Sequence, residues 1–116
     1  MQMYITMPSK KILMERIEQL RAFLTATPED SFLQHALALE LIKRGDDIDA
    51  RILFEKILQR EPGYVGSYYH LGKLLERAGD YEFAIITYNK GMAEAKAAGD
   101  KHSHNELQGA LEEITE

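Results

Sequence analysis

The stretch SYYHLGKLLERAGDYEFAIITY, positions 67–88, constrains the fold of this chain more than any other. Leu71, Leu74 and Leu75 recur at helical spacing, Gly79-Asp80 interrupts the pattern, and Phe83, Ala84, Ile85 and Tyr88 resume it on a second amphipathic segment. This is a helical hairpin, and it occurs twice. In LQHALALELIKRGDDIDARILF, 34 residues earlier, Leu37, Leu41, Gly45, Asp46, Ala50 and Phe54 stand opposite Leu71, Leu75, Gly79, Asp80, Ala84 and Tyr88. Pro28 and Pro62 keep the same spacing. A single hairpin cannot bury its apolar faces alone, so a chain built this way is expected to stack its hairpins side by side.

Taken in order, residues 1–8 contain Met1, Met3 and Met7 and read as a loosely ordered lead-in to a single domain over 9–116. Over 9–26, Leu13, Ile17, Leu20 and Leu24, widened by Ile12 and Phe23, mark an amphipathic helix. Thr27-Pro28 ends it, because the residue before a proline is pushed out of the helical region. Thr27 is then expected to cap a helix from Pro28 to Arg44, with Glu29 and Asp30 at its positive dipole end. Gly45 stops that helix. Asp46 or Asp47 starts a third, reaching about Arg60, with Ile48, Ile52, Leu53, Ile57 and Leu58 inward. Two repeats, 28–61 and 62–98, are thus expected. The second comprises helices from about Tyr64 to Ala78 and from Tyr81 to Ala98, and a final helix over 101–115 presents one apolar stripe, suited to capping a stack. Met14 and Met92 lie in apolar stripes, where gap filling is the expected role. The fold class is all-α, a superhelical stack of six antiparallel helices.

Composition excludes several kinds of function. The 14 Lys and Arg are scattered among 19 Asp and Glu, for a net charge of -5, which leaves no clustered basic face for nucleic acid. The absence of cysteine removes disulfides, thiolate metal sites and a cysteine nucleophile. No run approaches the roughly 18 apolar residues of a membrane helix, so the chain reads as a soluble cytoplasmic protein.

A period of 34 residues built from helix, turn and helix, with these side chains, resembles the tetratricopeptide repeat. Tyr68, Leu71-Gly72, Leu75, Ala84 and Tyr88 match the family pattern closely, whereas the first repeat places Gln34, Ala38 and Leu41 where the family carries an aromatic, a glycine and an aromatic. Lys96 replaces the proline expected after the second repeat. The resemblance implies a non-enzymatic adaptor or scaffold that holds a peptide segment or helix of a protein partner in a concave groove. The groove positions it implies are Phe32, His35, Leu39, Ile42 and Lys43 on one helix and Tyr69, Lys73, Glu76 and Arg77 on the next. For Phe32, Leu39 and Ile42 the competing account is packing against the N-terminal helix. Only Lys73 stands where chaperone-binding members grip a terminal carboxylate, so a mixed apolar and aromatic ligand is expected instead.

No catalytic, metal or cofactor motif is present. His102 and His104 lie two apart on a helix and point to different sides, unlike the four-residue spacing that chelates. Asp46-Asp47 reads as a helix start. The alternative to a groove-binding adaptor is a structural subunit, or a weak homo-oligomer, that uses the ends of the stack.

Overall fold

The structure is a computed structural model that describes residues 9–115, so the expectation for residues 1–8 lies outside the described residues. Among the described residues it contains six helices and no strand: α1 (Lys10–Ala26), α2 (Ser31–Arg44), α3 (Asp47–Arg60), α4 (Gly66–Arg77), α5 (Tyr81–Ala97) and α6 (Lys101–Ile114). Each helix packs on its chain neighbours, and α4 also touches α6.

Three glycines make the sharp reversals. Gly45, Gly79 and Gly99 have φ of 89°, 80° and 69°, a left-handed conformation that side chains rarely adopt. Each is followed by an aspartate whose amide donates to a carbonyl of the preceding helix: Asp46 to Leu41 O, Asp80 to Leu75 O and Asp100 to Ala95 O, all at 2.8 Å. Asp80 and Asp100 then cap the next helix, accepting from Phe83 N at 3.4 Å and Ser103 N at 3.0 Å. Asp46 departs from this pattern. Its carboxylate takes Arg44 Nε at 2.6 Å and makes no capping bond to α3.

The proline turns differ from expectation by most of a helical turn. Thr27 does not cap α2: its hydroxyl turns back to Phe23 O at 3.3 Å, and Asp30 N closes a turn onto Thr27 O at 3.1 Å. Asp30 is the cap, accepting from Leu33 N at 3.0 Å, so α2 begins at Ser31 and not at Pro28. Pro28 and Glu29 spend their conformations on the turn. The second proline behaves alike, with Tyr64 N on Glu61 O at 3.0 Å, and α4 begins at Gly66 rather than Tyr64.

The buried faces follow a narrower stripe than hydrophobicity alone suggests. On α3 the contact face is Ala50, Phe54 and Ile57; Ile48 and Ile52 are each two residues from one of these, about 200° around the helix. They therefore face water, Ile48 at 77% exposure, and are not inward as expected. Phe83 and Ile86 are exposed on α5 for the same reason, since Ala84, Tyr88, Gly91 and Ala95 are the residues that pack. On α1 only Leu13 and Ile17 are buried. Ile12, Met14 and Phe23 are exposed because α2 is the one helix against α1, so Met14 fills no gap; Met92 does pack against the core.

The two hairpins replace each other's side chains by different chemistry at equivalent points. Tyr68 OH donates to Pro62 O at 2.6 Å, and Gln34 Nε2 donates to Pro28 O at 3.0 Å, the same bond one repeat earlier. Gln34 is buried without the bulk of a ring, and the space is filled by a polar cluster. In it Arg60 Nη2 donates to Ser31 Oγ at 2.7 Å and to Gln34 Oε1 at 2.8 Å, and Ser31 Oγ donates to Glu61 Oε1 at 2.7 Å. A buried amide that kept its partners costs little, which is why the departure from an aromatic is tolerated.

The closest approaches occur at Gly72 and Gly91. A Cβ on Gly72 would clash with the edge of the Tyr88 ring at Cε1, and one on Gly91 would lie 2.6 Å from Tyr68 Cβ and 2.9 Å from Leu107 Cδ1. Nothing lies within 4 Å of the equivalent point on Gly109, in the middle of α6. Gly72→Ala and Gly91→Ala should each destabilise the protein by about 1–3 kcal/mol through overpacking. Gly109→Ala should stabilise it by roughly 0.5–1 kcal/mol through helix propensity. Urea denaturation of the three variants checks this, and a Gly72→Ala protein as stable as the parent would contradict the packing of α4 on α5.

Candidate partner-binding groove

The first helices of the successive hairpins, α2 and α4, meet along a seam of rings. His35 Nδ1 is hydrogen-bonded to the fully buried Ser67 Oγ at 2.9 Å, and its ring stands edge-on to Phe54 and His70 at 5.4 and 5.5 Å between centroids. His70 stacks on Phe54 at 5.9 Å, 11° from parallel. Tyr69, next along α4, meets His70 edge-on at 5.6 Å and has Lys73 Nζ 5.6 Å from its ring centroid. His35 is the counterpart of Tyr69 one repeat earlier. His70 is one residue, about 100°, further round, which places it on the α2 side of α4 and outside the stripe that periodicity picks out.

Burial holds the His35 imidazole down at about 4, with the neighbouring His70 adding to the effect. Burial also lowers His70, while Glu106 of α6 opposes it. Both rings are therefore neutral near pH 7, which suits a seam made of aromatic edges and one hydroxyl.

The remaining groove positions are engaged within the chain to different degrees. Lys73 Nζ lies 3.5 Å from Glu76 Oε2 and 3.6 Å from Glu113 Oε2 of α6, and these carboxylates outweigh burial and raise its pKa. Arg77 reaches across to the start of α3, its Nε and Nη2 donating to the two carboxylate oxygens of Asp47 at 3.0 and 3.1 Å. Glu76 also accepts a short hydrogen bond from Tyr88 OH, and burial with that contact drives the Tyr88 hydroxyl well above its ordinary range. One repeat earlier the same two positions are Ile42 and Phe54, an apolar pair where α4 and α5 have a hydrogen-bonded one. Lys43 pairs with Glu40 at 3.2 Å, and Leu39 and Ile42 pack half-buried against the core. Phe32 does neither. It stands on α2 at 71% exposure, so packing against α1 does not account for it.

Asp47, Glu113 and His70 belong to this surface and Ser67 lies buried beneath it; from the sequence Asp47 was read only as a helix start and the others had no role in the groove. The Asp47–Arg77 and Lys73–Glu113 pairs join residues 30 and more positions apart, and a helical period carries no signal of such pairing.

No group of three or more His, Cys, Asp or Glu able to hold a metal ion occurs among the described residues, and no described helix is long and apolar enough to cross a membrane. Concavities lie at the α5–α6 turn, about 370 Å³, beside Glu55, Leu58, Ile86 and Lys90, about 340 Å³, and at the start of α3, about 490 Å³, where Asp47 is part of the lining.

No family model matches the chain. A tetratricopeptide repeat domain protein from Salinibacter ruber, solved by crystallography, is 41% identical and superimposes with a TM-score of 0.71, covering 73% of this chain and 94% of its own. The chain belongs to the tetratricopeptide-repeat family. Its six helices form the right-handed superhelix of that family. A protein from Bordetella parapertussis is similar over more of the chain, with a TM-score of 0.74 at 25% identity, covering 93% of this chain and 89% of its own. A TPR repeat-containing protein of Pseudomonas aeruginosa is 26% identical over 98 residues, 84% of this chain and 93% of the relative. In this tetratricopeptide-repeat chain α2 packs on α3 and α4 on α5 as successive hairpins, with α1 against α2 ahead of them.

The histidine seam gives this surface a pH dependence. His35 has a folded pKa below its unfolded value, so its contribution is fully present above about 6.5 and is lost as pH falls toward 4. A shift of this size corresponds to about 3 kcal/mol in a dry site, and solvent access at a half-buried ring reduces it to roughly 1–2 kcal/mol. Stability measured by urea denaturation at pH 7 and pH 4.5 should fall more for the parent than for His35→Gln, by about that difference. Equal losses would show that the imidazole is not the responsible group.

Proposed function

We propose that this tetratricopeptide-repeat protein is a non-enzymatic, cytoplasmic adaptor or scaffold that holds a segment of a partner protein across α2 and α4. The segment lies over Phe32, His35, Leu39 and Lys43 on α2 and over Tyr69, Lys73, Glu76 and Arg77 on α4. One observation carries the reading: Phe32 is a large apolar side chain left in water on a first helix, in one stripe with His35 and Leu39. An exposed aromatic on a rigid helix loses little conformational freedom on binding and buries a large area, the usual character of an interface anchor. Tyr69 supplies a second ring on the adjoining helix.

A second reading rests on a different surface. Ile12, Met14 and Phe23 are exposed on α1, and they favour self-association or assembly through the end of the stack.

The two surfaces are separable by mutation. Phe32→Ala should leave the melting temperature nearly unchanged, Tyr69→Ala should lower it somewhat because its ring packs on the core and on His70, and each should weaken capture of native partners from lysate, a central anchor contributing about 2 kcal/mol. Ile12→Ser combined with Phe23→Ser should leave capture intact. If capture survives the groove change and is lost with the α1 change, and light scattering shows the parent associating, the end of the stack is the working surface.

A further inference from the structure

Every cation in the groove already has a carboxylate. Lys43 is held by Glu40, Lys73 by Glu76 and Glu113, and Arg77 by both oxygens of Asp47. His35 and His70 carry no charge near pH 7 to add to them. Against these three cations stand four paired carboxylates, Glu40, Glu76, Glu113 and Asp47, and Glu106 of α6, near enough to act on His70, makes no ion pair among the described residues. The Glu113 side chain is 72% exposed while it holds Lys73, so it is accessible to a further partner.

From this balance we infer that the groove takes a positively charged segment, one that presents an aromatic or aliphatic side chain beside lysine or arginine. The inference rests on the groove being the working surface. An anionic ligand would have to displace Glu76, Glu113 or Asp47 from Lys73 and Arg77. Those carboxylates are tethered, and a tethered partner acts at a high effective concentration that a free ligand must overcome. Glu76 is harder still to displace, since Tyr88 OH donates to the same oxygen that Lys73 approaches. A cationic side chain meets no such competition. It can share the open side of Glu113, reach Glu106, or replace Lys73 over the Tyr69 ring and keep the same contacts with a different ammonium or guanidinium. Phe32 and Leu39 then receive the apolar part of the segment. Acidic tails, anionic lipid surfaces and nucleic acids are all disfavoured by the same charge balance.

The test uses the full chain and two fluorescein-labelled amphipathic peptides of equal length, each of leucine with one phenylalanine, one carrying lysine and the other glutamate at its polar positions. Anisotropy titrations should show the lysine peptide binding at least about tenfold tighter, with the gap shrinking as salt is raised. Glu113→Gln should weaken the lysine peptide about threefold or more, whereas Glu18→Gln, an equal charge change on the exposed face of α1, should not. Tyr69→Ala should weaken it as well. If the glutamate peptide binds tighter and Tyr69→Ala abolishes that binding, the groove stands and the inferred sign is wrong. If the lysine peptide responds equally to Glu113→Gln and Glu18→Gln and is indifferent to Tyr69→Ala, the attraction is only that of a chain with net charge -5, and both the inference and the groove reading fail. Binding of neither peptide overturns the inference.

Discussion

The fold depends on the approach of α4 to α5 at Gly72, where the Tyr88 ring occupies the space a side chain would need. Close-packed interiors tolerate little error in volume, so this contact sets how near the two helices lie. The other contacts of α4 follow from it. Tyr68 reaches the Pro62 carbonyl, Gly91 admits Tyr68 and Leu107, and α6 closes against both α4 and α5. The same ring carries its hydroxyl to Glu76, which links the core contact to the charge arrangement of the groove through a single side chain.

Much of this fold was legible in the sequence, because its punctuation is chemically specific. A glycine with positive φ followed by an aspartate has few uses other than ending one helix and starting the next, and Gly45-Asp46 and Gly79-Asp80 announce two reversals. What periodicity could not supply was the width of each buried stripe. Ile48 and Ile52 are as apolar as Ile57, yet whether they are buried depends on a neighbouring helix being there to cover them. Ile12 and Phe23 were misjudged on α1 for the same reason. The proline turns misled differently: Thr27 and Asp30 are both competent caps, and only the geometry of the turn at Pro28 decides between them.

The residues proposed for the groove were legible as positions on α2 and α4 and illegible as a set of charges. Register alone puts Phe32, His35, Leu39, Tyr69, Lys73 and Arg77 on first helices. Their partners come from elsewhere: Asp47 from the start of α3, Glu113 from α6 and Ser67 from one turn earlier in α4. These pairings change what the surface can do, since a row of basic residues that looks available for an acidic ligand is already neutralised. Gln34 shows the complementary case, in which a departure from the family pattern makes the same bond to a proline carbonyl that Tyr68 makes one repeat later.

The pattern of helix contacts has a mechanical consequence. Helix α1 packs chiefly on α2, while α4 is held by α3, α5 and α6. In a stack with nearest-neighbour contacts, opening proceeds from the less supported end, and its free energy rises element by element toward the middle. Amide protection should accordingly form a gradient along the chain, shallow in α1 and deep in α4. A ligand lying across α2 and α4 would fasten the loose end to the firm one and be felt as stiffening well beyond the residues it touches.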